Sequence, residues 1–139
     1  MKVIGFNFNK VSIEKKTEDF KEIKVNAPSI DIRDIKQVKS PVFSMKEDVF
    51  EVKFTYSVKY LPDIAEVSLA GSMLLVVDQK VSKELAKEWK NKKVPAEQRL
   101  FILNIIVRKA TLKAIELEDE LNLPTHIHIP TIKEIKDQE

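Results

Sequence analysis

The chain has 139 residues, no cysteine, two glycines and a net charge of +2 from 24 basic and 22 acidic side chains. Without cysteine there are no disulfides, thiolate nucleophiles or Cys-ligated zinc sites, and two glycines are too few for a phosphate-cradling loop, which relies on residues that adopt positive φ freely. Only Arg33, Arg99 and Arg108 among the basic residues carry the guanidinium that nucleic-acid interfaces favour, so no nucleic-acid partner is expected.

The length suits a single domain over residues 1–139. The prolines (Pro28, Pro41, Pro62, Pro95, Pro124 and Pro130) fall where elements should start or stop, and no linker or internal repeat divides the chain. The first apolar stretch is interrupted by Asn7, Asn9 and Lys10. It matches neither a signal peptide nor a membrane span, so no membrane insertion is expected and the cytoplasm is the expected compartment.

The first strand is expected over residues 3–14. Ile4, Phe6 and Phe8 share one face, whereas Val11 and Ile13 have the opposite parity. Side chains alternate with period two, so a β-bulge near Asn9-Lys10 is required to reconcile the two sets. The second strand begins near residue 20 with Ile23 and Val25 on one face. It breaks at Asn26-Ala27-Pro28 and resumes through Ile30, Ile32 and Ile35. The proline removes a ladder donor, which places this strand partly on an edge.

The third strand alternates Phe50, Val52, Phe54, Tyr56, Val58 and Tyr60 with Glu51, Lys53, Thr55, Ser57 and Lys59. One face is therefore buried and the other wet, as in an antiparallel sheet. Leu61-Pro62-Asp63 turns into a fourth strand over 64–77, with Ala65, Val67, Leu69, Gly71, Met73, Leu75 and Val77 on one face. Its other face is polar until Leu74 and Val76.

Ser82 is a candidate cap for a short helix through residue 92, with Leu85 and Trp89 paired at i,i+4. Pro95 then suits the first turn of a long helix over 95–121. Leu103, Val107, Ala110, Ala114, Leu117 and Leu121 form one apolar stripe. Phe101, Ile105, Leu112 and Ile115 lie to its side, and Ile102 and Ile106 widen the apolar surface. Glu116, Glu118, Asp119 and Glu120 read as a solvated face. The elements together make an α+β domain: a four-stranded antiparallel meander packed with a short and a long C-terminal helix. The long helix carries more apolar surface than such a sheet covers, which points to a homodimer or homotetramer, with Phe101, Ile102, Ile105, Ile106, Lys109 and Leu112 at the interface. The tail over 123–130 is extended, because proline biases its predecessor away from helix, and Ile127, Ile129 and Ile132 are expected to fasten it. Residues 134–139 are expected to fray.

Chemistry-bearing groupings are sparse. His126 and His128 are two potential ligands, too few for zinc, and read better as packing or surface residues. Asp63 and Glu66 flank a turn without a histidine or a third carboxylate beside them, and turn chemistry explains the aspartate. No catalytic residue, metal or cofactor is expected, and the chain does not read as an enzyme. Phe20, Phe43, Met45, Leu74, Val76 and Trp89 are apolar residues without an obvious place in the core. Aromatic and methionine side chains of this kind line surfaces that adapt to varied polypeptide clients.

Two segments carry a family likeness. Asp48-Val49-Phe50-Glu51-Val52, with the alternating strand and hairpin running to residue 77, and the helix over 102–121, followed by Asn122-Leu123-Pro124 and Ile129-Pro130, resemble the SecB family of protein-export chaperones. The resemblance implies a four-stranded antiparallel sheet backed by helices and a dimer of dimers formed through the long helix. It also implies an ATP-independent holdase that binds unfolded or non-native polypeptides in hydrophobic grooves, with a link to protein export. Two departures stand out. The connection over 15–19 is short and charged where the family has a long aromatic-bearing crossover. The acidic face that docks the family's motor ATPase has no counterpart, which favours a stand-alone or stress-linked chaperone. The alternatives are a carrier of small apolar ligands, with the sheet gripping the long helix, and a non-catalytic assembly subunit.

Overall fold

The computed structural model describes residues 1–19, 21–39 and 47–133. These form, in chain order, β1 (Lys2–Lys15), β2 (Lys24–Val25), β3 (Ser29–Val38), β4 (Glu47–Leu61), β5 (Ala65–Asp78), α1 (Gln79–Trp89) and α2 (Ala96–Glu120). The five strands make one antiparallel sheet, and the helices lie on one face of it. The alternation in β4 is realised as expected: Phe50, Val52, Phe54, Tyr56, Val58 and Tyr60 are all buried on the helix side, and the intervening residues face outward. β5 pairs with β4 along its whole length and supplies Val67, Leu69, Met73 and Leu75 to the same core.

The strand count is five because Asn26-Ala27-Pro28 splits the second expected strand into β2 and β3, both paired with β4. The meander is corrected. Strand order is β1-β5-β4 with β2 and β3 beyond β4, a Greek-key arrangement in which three hairpin-connected strands are joined by a fourth returning beside them. The link from β1 to β2 must therefore cross two intervening strands. Residues 16–23 can do so, since three inter-strand steps amount to ~14 Å, well inside the reach of eight extended residues. Lys16 anchors the crossing: its N–H donates to the Ile64 carbonyl at 2.7 Å and its ammonium pairs with Asp63 at 2.7 Å.

The β1 ladder slips between Phe8 and Lys10, where the parity change required a bulge, and again between Val3 and Gly5. The second slip frees Ile4 from the inner set and leaves it exposed. Phe6 and Phe8 do turn inward, with ring centroids 5.2 and 6.3 Å from that of Phe54. That aromatic cluster needs Gly71, because a Cβ there would stand 2.2 Å from the Asn7 carbonyl oxygen.

α1 is capped by Asp78, whose carboxylate accepts from the Val81 N–H at 2.9 Å, and not by Ser82. Ser82 is buried one turn further on and donates its hydroxyl to Asp48.

In α2 the buried line is Gln98, Ile102, Ile106, Ala110, Ala114 and Glu118. This corrects the expected stripe through Leu103 and Val107, which lie at the helix flank and on its exposed side. Each four-residue step overshoots a full turn by about 40°, so the line winds around the helix instead of running straight. Its two ends are polar, and a hydropathy pattern cannot identify polar residues as buried.

Candidate functional site

Trp89 ends α1, and the chain turns sharply before α2. The orphan carbonyls of the helix end are satisfied within the turn: Asn91 N–H and Lys93 N–H both donate to Glu88 O, at 3.0 and 3.1 Å, and Lys92 N–H donates to Trp89 O at 2.9 Å. This geometry requires Lys92 in the left-handed region, at φ 56°. The indole is held by its N–H, which donates to Asp34 on β3 at 3.3 Å, and by the Lys92 ammonium, 4.9 Å from the ring centroid.

Between this turn, the edge strand β3 and the first turns of α2 lies an open cleft of about 360 Å³. Its apolar lining is Ile30, Ile32, Trp89, Val94 and Leu103, and its charged rim is Asp31, Lys92, Lys93 and Arg99. The size falls at the lower end of the range of ligand pockets. Asp31 pairs with Arg33 at 3.7 Å. Among the described residues none of the ion pairs involves Lys92, Lys93 or Arg99.

The residues expected to bind clients do not gather in one place. Trp89 forms a wall of the cleft. Leu74 and Val76 lie on the opposite face of the sheet, and Val76 is only 8% exposed, which leaves it little area for a client. Phe20, Phe43 and Met45 lie outside the described residues. Pattern does not single out the rest of the lining: Ile30, Ile32 and Leu103 have an ordinary core reading on their own elements, and Val94 lies in the α1–α2 turn. The signal that marks the cleft is the basic run Lys90, Lys92 and Lys93 directly behind the only tryptophan.

The set expected at an oligomer interface divides. Ile102 and Ile106 are 0% exposed and sit against the chain's own sheet, so they are corrected from interface to core. A second copy could reach them only by opening the domain. Phe101, Ile105, Lys109 and Leu112 share the adjacent flank, where Leu112 is 66% exposed.

A second polar cluster closes the other end of α2. Glu118 is 0% exposed, which corrects its placement in a solvated acidic face. Its carboxylate accepts from the His126 backbone N–H at 3.1 Å and lies 2.8 and 2.9 Å from His126 Nδ1. A carboxylate only accepts, so Nδ1 carries a proton, and Nε2 is hydrogen-bonded to the Tyr56 hydroxyl at 2.7 Å. Thr111 Oγ1 stands 3.0 Å from the same hydroxyl. Tyr60 donates to the Pro124 carbonyl. Burial pushes both tyrosine hydroxyls above their ordinary value of 10.0, and the negative charge of Glu118 adds to the shift. No buried side-chain polar atom among the described residues lacks a partner. The cluster is sealed from solvent and fastens the tail, together with Leu123. Ile127, Ile129 and Ile132, expected to do the fastening, are exposed.

Among the described residues no group of three or more His, Asp or Glu side chains is placed to hold a metal, and no helix is long and apolar enough to cross a membrane. The fold is similar to that of a SecB-like chaperone from Mycobacterium tuberculosis, Rv1957, solved in complex with a ChAD peptide from the Rv1956 HigA1 antitoxin. The match covers 97% of this chain and 92% of that one, with a TM-score of 0.55 at 8% sequence identity. At that identity the likeness is one of fold. No protein-family model and no curated protein matches the sequence.

Proposed function

We propose that this protein is a cytoplasmic, ATP-independent holdase that receives unfolded or non-native polypeptide in the cleft between β3 and the α1–α2 turn. The observation that carries the reading is the open cleft beside an edge strand, in which Ile30, Ile32, Trp89, Val94 and Leu103 stand within a charged rim. Apolar burial at about 25 cal/mol per Å² would drive binding with little sequence selectivity, favouring unfolded over folded clients. The SecB-like neighbour, whose structure was solved in complex with a ChAD peptide from an antitoxin, has a similar overall fold, which supports the reading.

Assembly through the flank of α2 that carries Phe101, Ile105, Lys109 and Leu112 belongs to the same proposal, since a leucine 66% exposed on a rigid helix is material for a self-contact. The carrier alternative has less support. Ile102, Ile106, Ala110 and Ala114 press directly onto the sheet and occupy the space in which an enclosed apolar ligand would sit. The export link is not retained, because the outer sheet face mixes its charges: Glu14 and Glu66 stand in one row with Lys59.

The test is suppression of aggregation of a thermally denatured model enzyme without nucleotide. Wild-type protein should suppress it at near-equimolar amounts, and Trp89→Ala should lose most of that capacity while keeping its far-UV spectrum. Absence of suppression by wild type would sink the reading. Leu112→Lys should lower the mass measured by light scattering, and an unchanged mass would move the self-contact elsewhere.

A further inference from the structure

Among the described residues three non-glycine residues adopt positive φ: Asp63, Lys92 and Asn122. Aspartate and asparagine are several-fold enriched there, and helix ends of this geometry ordinarily use glycine or asparagine. Lysine is the exception. At Lys92 a less favourable backbone residue is retained at the one position that sets its ammonium against Trp89 at the mouth of the cleft. An unfavoured conformation held at a binding surface is a pointer to function.

The surrounding charges agree with it. The cleft rim has three cations, Lys92, Lys93 and Arg99, against one carboxylate, and that carboxylate, Asp31, is paired with Arg33. Lys90 extends the basic run by one residue, exposed on the same turn. Asp34 receives the indole N–H of Trp89, and the acids nearest in sequence, Glu88 and Glu97, do not line the cleft. The whole chain is almost neutral, so this concentration of cations without acid partners among the described residues is a local feature.

We propose that the cleft selects acidic polypeptide segments: an aromatic or aliphatic side chain seats on Trp89, Ile32 and Leu103, while flanking aspartates or glutamates pair with Lys92, Lys93 and Arg99. This rests on the reading above, that the cleft receives polypeptide, and adds the class of client. The cations set preference and encounter rate, and the apolar floor supplies the common part of the affinity. A free anion would find the cations but leave the floor unused, which is why the occupant is a peptide.

The experiment uses the intact chain. Trp89 is its only tryptophan, so intrinsic emission reports on the cleft itself. Two tryptophan-free peptides with one phenylalanine anchor, one flanked by glutamates and the other by lysines, are titrated at low salt. The glutamate peptide should shift Trp89 emission with an affinity roughly tenfold tighter than its partner, as two or three exposed charge pairs allow. The gap should narrow in 0.5 M salt, where charges a few ångströms apart are already screened. Lys93→Glu/Arg99→Glu, two exposed positions outside any described ion pair, should invert the preference.

Equal affinities, or tighter binding of the lysine peptide by wild type, would overturn the acidic selection and leave the cleft reading intact. If neither peptide moves Trp89 emission, both fall. If glutarate alone reproduces the shift at the same concentrations, the site takes small anions and the polypeptide occupant is wrong. The salt series on wild type decides the matter even if the double variant does not fold.

Discussion

The two ends of α2 handle polar groups in opposite ways. At the C-terminal end, Glu118, His126, Tyr56, Thr111 and Tyr60 stand in an apolar setting, and each donor has an acceptor supplied by the chain itself. At the N-terminal end, Lys92, Lys93 and Arg99 surround an apolar floor without an acid partner among the described residues. A satisfied buried network rigidifies and specifies one structure. A rim of cations without acid partners among the described residues, around aromatic and aliphatic side chains that are only half-buried against the core, is available to a ligand. The same helix thus divides into a structural half and an interactive half, and substitutions should divide the same way.

The largest effect on stability belongs to the closed end. Glu118→Ala leaves the His126 backbone N–H and Nδ1–H buried without an acceptor, and should lower unfolding free energy by about 3 kcal/mol. Urea unfolding measures it, and a loss below ~1 kcal/mol would mean that the tail is fastened elsewhere. Aggregation suppression by the folded fraction should be retained, because the cleft lies beyond the opposite end of the helix.

The next effect is visible only in alkali. Tyr56 and Tyr60 ionise at higher pH in the folded chain than in the unfolded one, because burial and the charge of Glu118 oppose the phenolate. The stabilisation they contribute is therefore complete below pH about 10 and is lost as pH climbs past the unfolded value toward the folded one. Each tyrosine should add a slope of about 1.4 kcal/mol per pH unit. Tyr60→Phe should flatten the fall in stability above pH 10 measured by urea unfolding at stepped pH, and an unchanged slope would place the alkaline sensitivity outside this cluster.

The sequence makes this division legible only in part, and the reason lies in what periodicity can see. The β4–β5 hairpin follows from strict alternation, since one face of β4 is buried and the other is not. The bulge at Asn9-Lys10 follows from a parity change that no regular strand tolerates, and the break before Pro28 from a missing donor. Sheet order does not follow, because β1 beside β5 and β1 beside β3 give the same alternation within β1. The rotation of α2 is hidden for a related reason. Its first half is apolar nearly all round, so no face is favoured, and the residues that settle the matter, Gln98 and Glu118, are polar. Glu118 and His126 are eight residues apart across the helix end, and their pairing depends on Asn122 turning the chain at φ 55°. The cleft draws on three elements whose apolar residues each look like ordinary core, and of its lining only Trp89 stands out in the sequence.

The smallest effect sharpens the comparison most, because it has opposite signs in stability and in binding. Lys92→Gly replaces a left-handed L-residue by the residue that adopts this conformation without steric penalty. At a purely structural turn that change should be a simple gain, of about 0.5–1 kcal/mol in unfolding free energy. The same substitution removes one of the three cleft cations and the ammonium over Trp89, so affinity for the glutamate-flanked peptide should fall several-fold while the lysine-flanked peptide is unaffected or bound slightly better. A protein made more stable and a poorer binder by one substitution would show that Lys92 is held where it is for a ligand. A gain in stability with peptide binding unchanged would return the turn to an ordinary helix end, and the contrast between the two halves of α2 would then rest on Lys93, Arg99 and the apolar floor alone.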